Sequence, residues 1–296
     1  MTYIRTLAML LADAARGWSA HRAKRMGAAL AFYTTLAAAP LAVIAVSIAG
    51  LFFGEEAAKG RVVARIEEFV GKEEAVTIET LIQKASVPQE SRIATTISLA
   101  LLIVAATGVF SELKDSLDAI WEVKRKPGRA VLRFLKTEAL AFSLVVGTGF
   151  LLLVSLILTT VLAVVTGWVG QWLPFSASVA HLLDMGVSFL IITLLFALVF
   201  KLLPDVHVPW RNVWLGSAIT AVLFMIGKSL ISLYIGSAGI GSIYGAAGSL
   251  VVVLVWMYYS AQIVFFGAEL IRAYTRRFDS RPVLPTEDAE YVGGQK

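Results

Sequence analysis

The chain has 296 residues, 58% of them hydrophobic and 16% charged, with mean hydropathy +0.77 and formal net charge +5. An ordinary soluble domain has roughly 25% charged residues, so this composition excludes a typical water-soluble globule and makes the bilayer the expected solvent. Cysteine is absent, which removes disulfides, thiolate metal sites and cysteine nucleophiles.

Residues 1–26 come first. Ile4, Leu7, Leu11, Ala14, Ala15 and Trp18 share one helical face, with Arg5, Asp13, Arg16 and Arg22 elsewhere. That pattern suits a cytoplasmic amphipathic helix, either lying in the membrane interface or packing on a bundle. Asp13 and Arg16 interrupt its apolar patch, so no signal-peptide core forms and no cleavage is expected.

A spanning helix needs about 20 mostly apolar residues, because a rise of about 1.5 Å per residue must cross about 30 Å of hydrocarbon. Six segments qualify: 27–53, 93–110, 137–166, 179–203, 213–235 and 243–271. They lack the alternation of strands, and in lipid only helices or closed barrels satisfy every backbone polar group. The expected fold is all-α: a polytopic membrane helix bundle of six transmembrane helices within residues 27–273, with an N-terminal amphipathic helix and short extramembrane helices. Among the latter, the outer loop 54–92 reads as one or two acidic amphipathic helices carrying Val62, Ile66, Phe69, Val76, Leu81 and Ile82, broken near Gly71 and ended near Pro88. Residues 274–296 are polar, contain Pro and Gly and show no period, so a disordered cytoplasmic tail is expected there. No internal repeat is evident.

Counting Lys and Arg on alternate sides, with Lys201 at the end of its span taken with the loop that follows, gives nineteen on the side of the termini and five on the other. All five lie in 54–91, among eight Glu. Cationic loops stay inside, which places both termini in the cytoplasm.

Lys228 is the most informative single residue, because an ammonium at membrane depth costs about 2.5–3.5 kcal/mol on insertion scales. Ser217, Ala221, Phe224, Lys228 and Ser232 follow at spacings of 4, 3, 4 and 4, one stripe facing protein or a cavity. The alternative is a lysine that snorkels to the outer interface. Tyr258, Gln262, Phe265 and Glu269, spaced 4, 3 and 4, form a second partly polar stripe in which Glu269 either pairs with Arg272 or lines a cytoplasmic vestibule. Pro40 should kink the first span, where Tyr33, Thr34 and Thr35 add polar groups. Gly236, Gly239, Gly241, Gly245 and Gly248 crowd the junction of the last two spans, as a tight packing seam or a re-entrant turn.

Enzyme signatures are scarce. His21, His181 and His207 are scattered with no metal-ligand spacing. Glu112, Asp115, Asp118 and Glu122, spaced 3, 3 and 4, read as a solvated ion-pair face, with Lys114 and Lys126 four residues from Asp118 and Glu122. The run KRKPGR at 124–129 suits anionic headgroups; without an aromatic platform, nucleic-acid binding is not expected. No cofactor, metal or catalytic residue is expected, and the chain reads as no enzyme.

Three stretches resemble the YihY/virulence factor BrkB family of bacterial inner-membrane proteins, whose older label is ribonuclease BN. They are RMGAALAFYTTLAAAPLAVIAVSIAGLFFG, KLLPDVHVPWRNVWLGSAITAVLFMIGKSLISLY and, most specifically, YGAAGSLVVVLVWMYYSAQIVFFGAEL. The resemblance covers most of the chain and carries Lys228, Tyr244, Gly245, Trp256, Gly267, Ala268 and Glu269 onto family pattern residues; Asp118 departs from it, asparagine being expected there. It implies a multi-pass inner-membrane protein with a transport or lipid-handling role. The leading expectation is a transporter or translocator of a lipid or other anionic amphipath. A membrane scaffold serving envelope integrity or serum resistance is the alternative, and the ribonuclease label gains nothing from these residues. Membrane lipids and an amphipathic substrate are the expected partners, and a homo-oligomer is left open.

Overall fold

Long apolar runs leave the backbone one economical solution in lipid, and the chain adopts it. A computed structural model describes residues 2–37, 108–126, 177–238, 248–279, 283–287 and 289–292. Helix α1 spans Thr2–Ala20, and a two-residue turn leads into α2 at 23–37. Arg22 takes the left-handed conformation in that turn, with φ 56°. Helix α3 covers 108–120 and is followed by strand β1, Val123–Arg125. Three long helices follow: α4 (Ala177–Leu202), α5 (Trp210–Ala238) and α6 (Gly248–Phe278). Strand β2, Ala289–Tyr291, comes last.

Helices α4, α5 and α6 contain segments long and apolar enough to cross a membrane: Met185–Leu202, Trp210–Ile231 and Leu250–Phe278. Side-chain exposure agrees with a lipid solvent, since Val222 and Ile226 stand 44% and 54% exposed within the apolar segment of α5. The described part is thus mostly helical, as an all-α membrane protein requires. Expected spans 27–53 and 93–110 enter the described residues only at 27–37 and 108–110, helical in both places. The span 137–166 and the outer loop 54–92 lie outside the described residues, as do Pro40, Gly239, Gly241 and Gly245.

The tail requires a correction. Residues expected to lack order instead place β2 antiparallel to β1, pairing Val123 with Tyr291, Lys124 with Glu290 and Arg125 with Ala289. Upstream, Val206 bridges Pro285, His207 N–H donates to the Leu284 carbonyl at 2.9 Å, and Thr286 N–H donates to the Asp205 carbonyl at 2.9 Å. Backbone groups carry this pairing, and three-residue strands leave no hydrophobic period to read. The all-α expectation accordingly gains a small two-stranded sheet.

The chain packs as two compact units. One comprises Met1–Gly17, Leu117–Leu223 and Phe266–Lys296; the other comprises Trp18–Ser116 and Phe224–Phe265. In the first, Leu10 and Ala14 of α1 are buried against Leu270 of α6, flanked by Leu11, Ile219, Phe266, Ala273 and Tyr274. Of the two placements open to α1, its buried face takes packing on the bundle. Close approach of α5 and α6 relies on missing side chains: a Cβ at Gly216 would collide with Ile271, and one at Gly267 with Thr220. In the second unit, Phe224 meets Trp256 edge-to-face at 6.1 Å.

Candidate functional site

Helix α5 has two faces. At about 100° per residue, Ser217, Ala221, Phe224 and Lys228 fall within one narrow stripe, and Val222, Ile226, Leu230 and Leu233 lie roughly opposite. Burial follows that division: Ser217 and Ala221 are fully buried and Phe224 and Lys228 half-buried, whereas all four apolar residues are exposed. Lys228 therefore points away from the exposed apolar face of α5. Among the described residues the Ser217 hydroxyl has no hydrogen-bond partner. Ser232 and Gly236 continue α5, and Gly248 opens α6.

The stripe on α6 divides between the two units. In one, Tyr258 is half-buried, and Gln262 Nε2 donates to the Ala23 carbonyl at 3.5 Å, its amide lying against Gly27 of α2. Tyr33 belongs to the same unit, with its ring against Gly108 and edge-on to Phe32 at 5.8 Å. Thr34 donates its hydroxyl proton to the Leu30 carbonyl at 2.7 Å, so that donor is used within its own helix.

The other unit holds Glu269 at the buried end of an ionic cluster. Its side chain is 3% exposed, its carboxylate lies where a Cβ on Gly17 would stand, and Arg272 Nη1 is 3.9 Å away. Arg272, 6% exposed, pairs through Nη2 with Glu122, and Arg276 reaches the second Glu122 oxygen at 3.2 Å. Of the two alternatives for Glu269, the local ion pair is the one formed. Glu122 itself has φ 56°, and its carbonyl accepts from Val292 N–H at 2.8 Å. A parallel link ties Arg277 to Asp13 of α1 at 3.6 Å. Nearby, the buried Asn212 amide donates to Thr275 Oγ1 at 3.1 Å and to Asp279 Oδ2 at 3.3 Å.

The acidic run on α3 is not a solvated face throughout. Asp118 is buried and accepts from Asp205 N–H at 2.7 Å, and Lys114 is buried as well. Burial pushes the Glu112 carboxyl above its usual range; the Ser116 hydrogen bond opposes the rise and the Asp115 charge adds to it. Lys126 donates to the Glu287 carbonyl at 2.9 Å. Among the described residues no three His, Asp or Glu side chains gather as metal ligands.

Sequence reasoning missed Gly17, Glu122 and Arg276 as members of one cluster. Glu269, Arg272 and Arg276, spaced 3 and 4, do announce a charged face on α6. Their partners on α1 and at the end of α3 are distant in sequence, and no spacing rule reaches them.

Three helices long and apolar enough to cross a membrane, with apolar side chains exposed along them, define a multi-helix integral membrane protein. The pattern of the family described as Virulence factor BrkB matches residues 14–291, and the chain belongs to that family. It is 31% identical to a UPF0761 membrane protein of Pseudomonas paraeruginosa over 216 residues, covering 70% of this chain and 50% of the relative. A UPF0761 membrane protein of Pseudomonas aeruginosa is 32% identical over 197 residues, 66% of this chain and 45% of its own. One from Chromobacterium violaceum is 28% identical over 302 residues, covering 95% and 69%. The chain thus spans about half the length of the first two relatives. No solved structure matches it.

Proposed function

We propose that the chain is a translocator of an anionic amphipath, crossing the bacterial inner membrane six times with both termini in the cytoplasm. The observation that carries this reading is the two-faced α5, which turns Lys228 away from the exposed apolar face that carries Val222 and Ile226. A snorkelling lysine has no need of the protein side of its helix, whereas a cation that receives an anionic headgroup does. From Trp210 to Lys228 the helix rises about 27 Å, most of the hydrocarbon thickness, so Lys228 belongs near the headgroup level of the leaflet opposite Trp210. A headgroup released from the bilayer interior meets this cation at the exit. The family's description as a virulence factor suits an envelope role of this kind.

Vesicles reconstituted with the protein and a fluorescent anionic lipid provide the test. Wild type is expected to accelerate exchange between leaflets. Lys228→Ala, having lost a charge-assisted contact of about 1.5 kcal/mol, should slow it by about tenfold. Lys228→Arg should retain most of the rate. Equal rates for wild type and Lys228→Ala would remove Lys228 from the mechanism. Wild type that moves no lipid or amphipathic solute would favour the scaffold alternative.

A further inference from the structure

The junction of α4 and α5 carries an exposed patch unlike the leucine faces of either helix. Trp210 and Trp214, one turn apart, are 46% and 41% exposed, with ring centroids 6.4 Å apart and planes inclined by 33°. Lys201 Nζ sits 5.6 Å from the Trp210 ring centroid and donates to the Val208 carbonyl at 2.6 Å. One such bond leaves an ammonium further protons to donate. Arg211, next to Trp210 in the chain, is exposed, and Asp205, the acidic residue of the connecting loop, is half-buried. The apolar segment of α4 stops at Leu202 and that of α5 starts at Trp210, with Leu202 and Leu215 both exposed.

Indoles left open at the end of an apolar segment belong at the headgroup boundary, where the ring enters the acyl edge and the N–H stays with polar groups. Two cations at that same level make the boundary selective for negative charge. We propose that Trp210, Arg211 and Trp214, with Lys201 beside the first indole, form a seat for anionic phospholipid headgroups. The phosphate lies against Arg211 and the Lys201 ammonium, and the indoles flank the glycerol and carbonyl region. The seat sets the depth of α5 whether or not the protein carries a substrate.

The full chain in nanodiscs of phosphatidylcholine, with or without phosphatidylglycerol, tests this seat. Wild type should gain thermal stability when phosphatidylglycerol is present, by about 3 °C. Arg211→Gln, a change at an exposed side chain, should lose half or more of that gain. A second readout compares wild type with Trp210→Phe/Trp214→Phe: the fluorescence missing from the variant should be quenched more strongly by lipids brominated near the headgroup than near the chain ends. Equal gains for wild type and Arg211→Gln, or equal quenching at both depths, would overturn the proposal. So would the same stabilisation by inorganic phosphate in detergent, which would assign the site to a free anion. Neither readout involves transport, so failure here is distinguishable from failure of the translocator reading.

Discussion

Glu122 concentrates more physical demands than any other described residue. It sits just past the end of α3 with φ 56°, where glycine usually stands because a side chain there costs about 1 kcal/mol. Its carboxylate bridges Arg272 and Arg276, and its carbonyl holds Val292. The Glu122 side chain is 49% exposed, so solvent weakens its own share; Arg272 at 6% exposure is the partner that needs the charge. A double-mutant cycle of Glu122→Gln and Arg272→Gln, read from denaturation midpoints in detergent, should give a coupling of about 1–2 kcal/mol. Glu122→Gly should be less damaging than Glu122→Ala by about 1 kcal/mol, since glycine accepts the backbone without strain. Equal losses would mean that the left-handed conformation is not maintained. The sequence displays Glu122 as the last of four spaced carboxylates; what it hides is Arg272, because nothing local at 122 points to α6.

Helices α4, α5 and α6 were legible as elements because about 20 apolar residues in a row admit few alternatives. Their ends were less so. The last span was expected to stop at Ile271, yet α6 continues to Phe278, because Arg272, Thr275 and Arg276 find partners in Glu122 and Asn212. A polar turn reads as the end of a span until its long-range contacts are known. The same blindness applies to 283–292, whose value lies in backbone bonds to 205–207 and to β1. Ending the chain after Asp279 would leave the Asp205 carbonyl, His207 N–H and the β1 edge without these partners, all near water. The expected result is a fall in melting temperature of about 5 °C, with amide exchange accelerating at 205–207 and 123–125 and unchanged in the middle of α5. Exchange that accelerates equally throughout α5 would mean that the segment supports the whole unit rather than one corner.

At the scale of the molecule, the quantity that decides orientation is the placement of cations. Nineteen Lys and Arg fall on the side assigned to the termini and five on the other, and all five are offset by the eight Glu of 54–91. Moving such loops outward opposes the insertion bias for Lys and Arg, which is why the proposed topology keeps both termini in the cytoplasm. This pattern was readable without coordinates, since it depends only on where the apolar runs end. It also makes a direct prediction about residues in two remote parts of the chain. Because the protein contains no cysteine, a single introduced thiol reports its own side of the membrane. Leu284→Cys, at a side chain 60% exposed beside the β-bridge, should react with a membrane-impermeant maleimide only after the membrane is opened. Lys72→Cys, in the acidic loop, should react in intact cells. Labelling of both positions from one side would require an even number of crossings between them, and the six-span arrangement, which puts five there, would then be wrong.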